Sequence, residues 1–119
     1  MSLLVSIYVY DADGDREFLD DLVDARTLAG FENTRTKLWG SEGMRALGAR
    51  FFPQLADCDL IVEPHEVDGF LAECEMVRPH LDRLAGEGGY YAEYVGERFA
   101  NIVAAALRAR AEGGGVIVW

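Results

Sequence analysis

The sequence predicts an α/β fold: a three-stranded, mostly parallel sheet covered by about four helices in the order βααβααβ. Three apolar segments have the composition of buried strands, at residues 3–10, 58–63 and 116–119. Stretches with helical spacing of apolar residues separate them, and long helical connections are typical of parallel strands. The alternative is an α+β fold with one antiparallel strand, because two antiparallel helices return the chain to the side from which it started.

Length and charge limit what the chain is expected to do. At 119 residues, half of them hydrophobic, it has material for one core, so we expect a single globular domain over residues 1–119. Its 21 acidic and 11 basic residues give a net charge of −10. Such a surface repels phosphate backbones and anionic lipid, which argues against nucleic-acid and membrane partners and leaves a basic protein partner. No signal peptide or bilayer-length apolar run is evident, so we expect a cytoplasmic protein.

The first strand is predicted at residues 3–10, where both alternating faces are mostly apolar, as in an interior strand covered on two sides. The sequence DADGD at residues 11–15 is interpreted as a turn that leads from this strand into a helix. Apolar residues recur at helical spacing over residues 18–29, with Asp20, Asp21 and Asp24 on the opposite side. We therefore expect an amphipathic helix that ends near Gly30.

The middle of the chain predicts a long loop at residues 31–40, with a short extended piece from Thr34 to Trp39. Ser41 is a candidate helix cap, and the apolar stripe that follows it stops at Pro53. The second strand is expected at residues 58–63.

Pro64 can occupy the first turn of the third helix, whose pattern Pro79 interrupts, so a kink or break is expected near Arg78. The last helix begins near Tyr90, three glycines end it, and VIVW forms the final strand.

The two cysteines, Cys58 and Cys74, fall inside apolar segments and form no CxxC pair. This placement favours buried thiols over a disulfide or a zinc knuckle.

A metal site is the main chemical alternative to a simple turn. In a parallel sheet, the carboxyl ends of the first two strands would bring Asp11, Asp13, Glu63 and His65 together, and these ligand types suit Mg²⁺ or another divalent ion. The alternative function is then a small metal-dependent hydrolase or phosphate-handling enzyme. The favoured interpretation has no cofactor. Asp13 or Asp15 is expected to cap the first helix, and Glu63 lies at the start of the third helix, so capping and turn formation already account for these residue types.

The same stretch resembles the first motif of the haloacid dehalogenase-like phosphatases, an apolar strand followed by Asp11-Ala12-Asp13-Gly14. The resemblance implies that Asp11 attacks a phosphoryl group and that Asp13 acts as general acid and base. It covers about ten residues. The sequence then departs from the family, because Asp15 stands where the family has threonine and no Ser or Thr ends the second strand.

In element order and in its tail, RARAEGGGVIVW at residues 108–119, the chain resembles barstar-like immunity proteins, which bind and inhibit basic toxin enzymes. The expected function is therefore an acidic protein-interaction module, an inhibitor or immunity-type binder of a basic partner, rather than an enzyme. Expected contact residues lie in the first helix and the loop after it: Asp20, Asp21, Asp24, Glu32, Arg35 and Trp39. For Trp39, anchoring of the loop to the core is an equal alternative. A homodimer would follow if VIVW formed a sheet edge.

Overall fold

The computed structural model describes residues 2–19 and 27–119, and within them it has one sheet of five strands, all paired antiparallel. The strands are β1 (Ser2–Tyr10), β2 (Arg16–Phe18), β3 (Leu28–Phe31), β4 (Leu60–Val62) and β5 (Gly115–Val118). Strand β5 lies between β1 and β4 and is antiparallel to both. Strand β2 pairs with the end of β1, and β3 pairs with its beginning.

The helices that the structure describes in full follow β3 and pack on one face of the sheet. The helices are α1 (Glu42–Ala46), α2 (Val67–Val77), α3 (Leu81–Gly88) and α4 (Ala92–Glu112), of which α1 is little more than one turn. The radius of gyration is 13.6 Å, which is about the value of one compact folded unit of this length. Within the described residues, no helix is both long and apolar enough to cross a bilayer.

The predicted fold class is wrong. No parallel pairing occurs in the described sheet. The α+β alternative is also incorrect in detail, because it has one antiparallel strand, whereas every described pairing is antiparallel. The physical reason lies at the C-terminus. Helix α4 returns the chain to the far end of the sheet, so β5 enters between β1 and β4 against the direction of both. It is therefore an interior strand, and the condition for an edge-paired homodimer through VIVW is not met.

The sequence-based prediction and the structure differ most over residues 11–19 and 27–39. DADGD is a turn, but it leads into β2 and closes a hairpin with β1 instead of starting a helix. The helix predicted at residues 18–29 is wrong at its two ends, because Phe18 belongs to β2 and Leu28 and Ala29 belong to β3. Its middle, residues 20–26, lies outside the described residues. The predicted extended piece from Thr34 to Trp39 is also wrong, since Arg35–Trp39 forms a π-helical turn.

The second half of the chain agrees better with prediction. Ser41 caps α1 by accepting the amide N–H of Met44 at 3.2 Å, although the helix ends well before Pro53. The expected break near Arg78 is confirmed, because α2 ends at Val77 and one 3-10 turn containing Pro79 separates it from α3. The long last helix and the final strand are also confirmed.

The core lies between the sheet and the helices. Odd-numbered positions of β1 point into it, and Leu3, Val5 and Ile7 are fully buried there. Four aromatic rings form its centre, with Phe52 in contact with each of the others: the ring centroids of Trp39 and Phe70 lie 5.2 Å from that of Phe52, and that of Phe99 lies 6.2 Å away.

The prediction for the cysteines is half right. Both thiols are free, and Cys74 is buried in the core, but Cys58 is exposed. Burial raises the pKa of the Cys74 thiol to about 12, with the neighbouring Glu73 carboxylate adding to the effect.

A buried carboxylate joins α2 to the segment before β4. Glu73 is 8 % exposed, and its two oxygens accept the backbone N–H groups of Arg50, Phe51 and Phe52 at 2.5–3.0 Å. These N–H groups open the 3-10 turn Phe52–Ala56 and have no helical partners of their own. The side chain of Glu73 therefore satisfies the start of this turn and places Phe52 in the core.

Replacing Glu73 with alanine should lower the free energy of unfolding by roughly 3 kcal/mol, because three backbone donors would lose their shared acceptor in a buried position. The measurement is equilibrium denaturation in urea. The matched control is Glu75→Ala on the same helix, which removes only an exposed pair with Arg78 and should change stability by less than about 1 kcal/mol. Equal losses in the two variants would contradict this role for Glu73.

Candidate functional site

The sheet face opposite the helices exposes several aromatic and aliphatic side chains. Because side chains alternate along a strand, the even-numbered residues of β1 and their cross-strand partners share this face. We call it the outer face, and its members are Leu4, Ser6, Tyr8, Tyr10, Arg16, Phe18, Ile61, Ile117 and Trp119. Five of its apolar side chains are 38–44 % exposed, namely Leu4, Tyr10, Phe18, Ile61 and Trp119.

Phe18 and Trp119 form the centre of the outer face. Their rings stack with centroids 5.4 Å apart and planes 14° from parallel, so they bridge β1 from its two sides. The indole N–H of Trp119 donates to the hydroxyl of Ser6 at 3.2 Å, and its backbone pairs with Leu4 at 2.8 and 2.9 Å. Stacking and hydrogen bonding therefore fix the indole while nearly half of its surface stays open to solvent.

Tyr8 is the one large side chain of the outer face that is fully buried. Its cross-strand partner is Gly115, and a Cβ at that position would collide with the Tyr8 hydroxyl and the Val62 carbonyl. Glycine therefore leaves the space in which the tyrosine ring lies flat over β5. The hydroxyl lies 3.1 Å from the Val62 carbonyl oxygen and donates to the Glu63 carboxylate. Burial raises the pKa of Tyr8, and this hydrogen bond and the charge of Glu63 raise it further.

Glu63 follows β4 and accepts two tyrosine hydroxyls. Tyr10 donates to it, with its oxygen 2.8 Å from Oε1 and 3.1 Å from Oε2, and Tyr8 donates to Oε1. These two hydrogen bonds lower the pKa of the Glu63 carboxyl, and the positive charge of Arg16 acts in the same direction. The carboxylate is thus ionised and held in one orientation at the rim of the outer face.

Arg16 covers this cluster from β2. Its guanidinium carbon lies 5.1 Å from the ring centroid of Tyr8 and 5.8 Å from that of Tyr10, within cation–π range. One guanidinium nitrogen lies 3.6 Å from Oε1 of Glu63, which is close enough for an ion pair but too far for a good hydrogen bond.

The DADGD loop owes its shape to its first aspartate. Oδ1 of Asp11 accepts the backbone N–H groups of Asp13 and Asp15, both at 2.9 Å. The Asp11 N–H donates to the Asp15 carbonyl at 2.8 Å, and Gly14 has a φ of 83°, a left-handed conformation that favours glycine. Asp11 thus stabilises a hairpin loop, and in this arrangement its Oδ1 is occupied by backbone donors. The predicted capping of a helix by Asp13 or Asp15 is wrong, because β2 follows.

The four residues of the metal alternative are not brought together. Over residues 2–19 and 27–119, no group of three or more His, Cys, Asp or Glu side chains is arranged to hold an ion. Strands β1 and β4 do end on the same side of the sheet, since both run against β5, but Glu63 meets Tyr8 and Tyr10 there. His65 is exposed in the turn that precedes α2.

The expected contact residues have mixed positions. Asp20, Asp21 and Asp24 lie outside the described residues. Glu32 is exposed and pairs with Arg35, which also pairs with Asp59 at 2.9 Å and so ties this segment to the start of β4.

Trp39 is fully buried, and its indole N–H donates to the Ala29 carbonyl at 3.0 Å. It anchors the segment to the core, which was one of the two alternatives open from the sequence.

A concave region lies between α2 and the segment before β4. This groove of about 420 Å³ is lined by Arg50, Phe51, Gln54, Glu66 and Gly69. Its polar groups are partly engaged within the chain, because Glu66 accepts the Glu63 N–H at 3.1 Å and Gln54 donates to the Arg50 carbonyl at 3.2 Å.

Comparison with known proteins gives no relative: no family model, no curated protein and no solved structure matches the chain. The element order that carried the barstar-like resemblance is not the observed one.

Sequence reasoning missed the outer face as a site. The available signal was the asymmetry of β1, whose odd-numbered positions are purely aliphatic while its even-numbered positions include Ser6, Tyr8 and Tyr10. Hydroxyl groups at three positions of one face indicate a strand with one solvated side, as is common in antiparallel sheets.

Substituting Gly115 with alanine should lower the free energy of unfolding by roughly 2 kcal/mol, because the added methyl overlaps the Tyr8 hydroxyl and the Val62 carbonyl. Urea denaturation measures the change. Gly96→Ala in α4 is the control: its Cβ meets no atom within 4 Å, and alanine favours a helix interior, so this variant should be as stable as the wild type or more stable by about 0.5–1 kcal/mol. An unchanged or more stable Gly115→Ala protein would contradict the close packing of Tyr8.

Proposed function

We propose that the protein is an interaction module that binds a basic protein partner through the outer face of its sheet. The observation that carries the proposal is the one-sided packing of the sheet. Helices cover one face, and the other displays a contiguous group of aromatic and aliphatic side chains, five of them 38–44 % exposed. Exposed apolar groups of this kind, with polar side chains at the rim, are typical of protein contact surfaces.

The composition of the outer face supports binding of a protein. Tyr and Trp are among the residue types that most often dominate binding energy at interfaces, and the face exposes Tyr10 and Trp119. The stacked pair of Phe18 and Trp119 is already fixed in the free protein, so little side-chain entropy would be lost on binding.

Charge supports the basic character of the partner. The chain has a net charge of −10, and the loop that joins the two outer-face strands β1 and β2 exposes Asp11, Asp13 and Asp15. Negative groups at the rim would attract a basic surface, accelerate its approach and repel acidic competitors. The two free thiols fit a reducing compartment such as the cytoplasm, where we propose that the protein acts.

The direct test is affinity capture from a lysate of the source cells, followed by purification of the captured protein and measurement of one-to-one binding. A Phe18→Ser/Ile61→Ser double variant should lose binding by at least tenfold, because it removes exposed apolar area from the outer face. The matched control is Met76→Ser/Leu107→Ser, which removes two equally exposed side chains from α2 and α4. Equal effects of both double variants, or a captured protein that is acidic, would contradict the proposal.

Association kinetics test the electrostatic part with the same purified partner. Asp13→Asn/Asp15→Asn should slow association several-fold at low ionic strength and leave dissociation nearly unchanged, since rim charges act mainly on approach. The control Asp82→Asn/Glu87→Gln removes the same charge from the exposed surface of α3. An association rate that does not fall with added salt would contradict steering by charge.

A further inference from the structure

The cluster of Tyr8, Tyr10 and Glu63, which we call the cation box, has the chemistry of a recognition site for a positively charged planar group. Glu63 supplies a carboxylate whose orientation is fixed by the two tyrosine hydroxyls. The tyrosine rings are perpendicular neighbours, with centroids 5.5 Å apart and planes at 82°, and they provide the aromatic walls. Guanidinium pairs with carboxylates and stacks on aromatic faces, and this cluster offers both kinds of contact.

The free protein fills the cation box with its own arginine, but the fit is loose. The Arg16 guanidinium lies over both rings, yet its nearest nitrogen remains 3.6 Å from the Glu63 carboxylate. Arginine and carboxylate normally form two parallel hydrogen bonds below about 3 Å. Arg16 belongs to a strand of only three residues beside the hairpin loop, and its side chain is 37 % exposed. It therefore occupies the box without the short paired hydrogen bonds that a carboxylate can accept from a guanidinium.

We propose that the cation box is the site at which the outer face receives an arginine side chain of its partner, and that Arg16 occupies this site in the free protein. The inference rests on the proposed function. The incoming guanidinium would stack on the exposed ring of Tyr10 and hydrogen bond to Oε2 of Glu63, which accepts only the longer of the two contacts from Tyr10. Arg16 would move into solvent beside Asp13 and Asp15 in the hairpin loop. Exchange of one guanidinium for another keeps both tyrosine hydroxyls hydrogen bonded to Glu63 throughout.

The test does not need the natural partner. N-acetyl-argininamide serves as the probe, titrated into the isotopically labelled full chain while the ring signals of Tyr8 and Tyr10 and the side-chain signals of Glu63 are followed by NMR. Arg16→Ala empties the box, so this variant should bind the probe saturably and about tenfold more tightly than the wild type. N-acetyl-citrullinamide, which has the same shape without the charge, should produce no saturable change.

Three further variants make the result specific. Arg16→Ala/Glu63→Gln should lose the gain in probe binding, because the fixed carboxylate is absent. Arg83→Ala removes an exposed arginine from α3 and should behave as the wild type. The dispersion of the amide spectrum shows whether Arg16→Ala disturbs the hairpin. If it does, Arg16→Gln is used in its place. The assignment would be overturned if Arg16→Ala bound the arginine probe no more tightly than the wild type does. It would also be overturned if N-acetyl-citrullinamide bound in the same way.

Failure of this inference and failure of the proposed function give different results. If the emptied box binds the arginine probe but the outer-face double variant captures its protein as well as the wild type does, the proposed partner surface is wrong and the cation box stands. If partner binding requires the outer face but Glu63→Gln leaves its affinity unchanged, the outer face is the contact surface and the assignment of the box is wrong.

Discussion

The position of β5 between β1 and β4 is the constraint on which the rest of the structure depends. Because β5 is antiparallel to both neighbours, β1 and β4 run in the same direction with one strand between them. The ends of these two strands therefore lie at one side of the sheet, where the tyrosines of β1 reach the glutamate after β4. Gly115 makes this reach possible, because only a residue without a side chain leaves room for the Tyr8 ring above β5.

One-sided packing follows from the chain order. The described helices α1 to α4 come between β3 and β5, in two stretches that begin and end at the sheet. They pack on the face of Leu3, Val5 and Ile7. Glu73 holds the connecting segment before β4 against α2, so that Phe52 reaches the aromatic core. Nothing comparable covers the outer face in the described residues. At its centre, Phe18 and Trp119 shield one another by stacking, and the indole N–H of Trp119 is held by Ser6.

The sequence predicted local features better than topology. The break at Pro79, the cap at Ser41, the long last helix and the strand after it are each encoded within a few residues of where they occur. The direction of β5 is not encoded locally, because it depends on how far α4 carries the chain. The expectation that DADGD leads straight into a helix is wrong for a related reason: Arg16, Glu17 and Phe18 pair with the end of β1, and this long-range pairing is not encoded in the turn itself.

In the candidate site too, the sequence predicted the local features and not the contacts between distant residues. The turn at DADGD followed from its composition, and Asp11 does bind the backbone of its own loop. The cation box joins residues more than fifty positions apart in sequence, and no short motif indicates it. The expectation that β1 is covered on both faces hid the outer face, although Tyr8 and Tyr10 share a face with Ser6 and the opposite positions are aliphatic.

The most direct test of an open outer face uses the two tryptophans, the only ones in the chain. Trp119 is 44 % exposed and Trp39 is fully buried. Acrylamide quenching should therefore be several-fold faster for the fluorescence of Trp39→Phe, which retains Trp119, than for that of Trp119→Phe, which retains Trp39. Equal shielding of the two indoles in the folded variants would show that the outer face is covered, and it would contradict the account given for this protein.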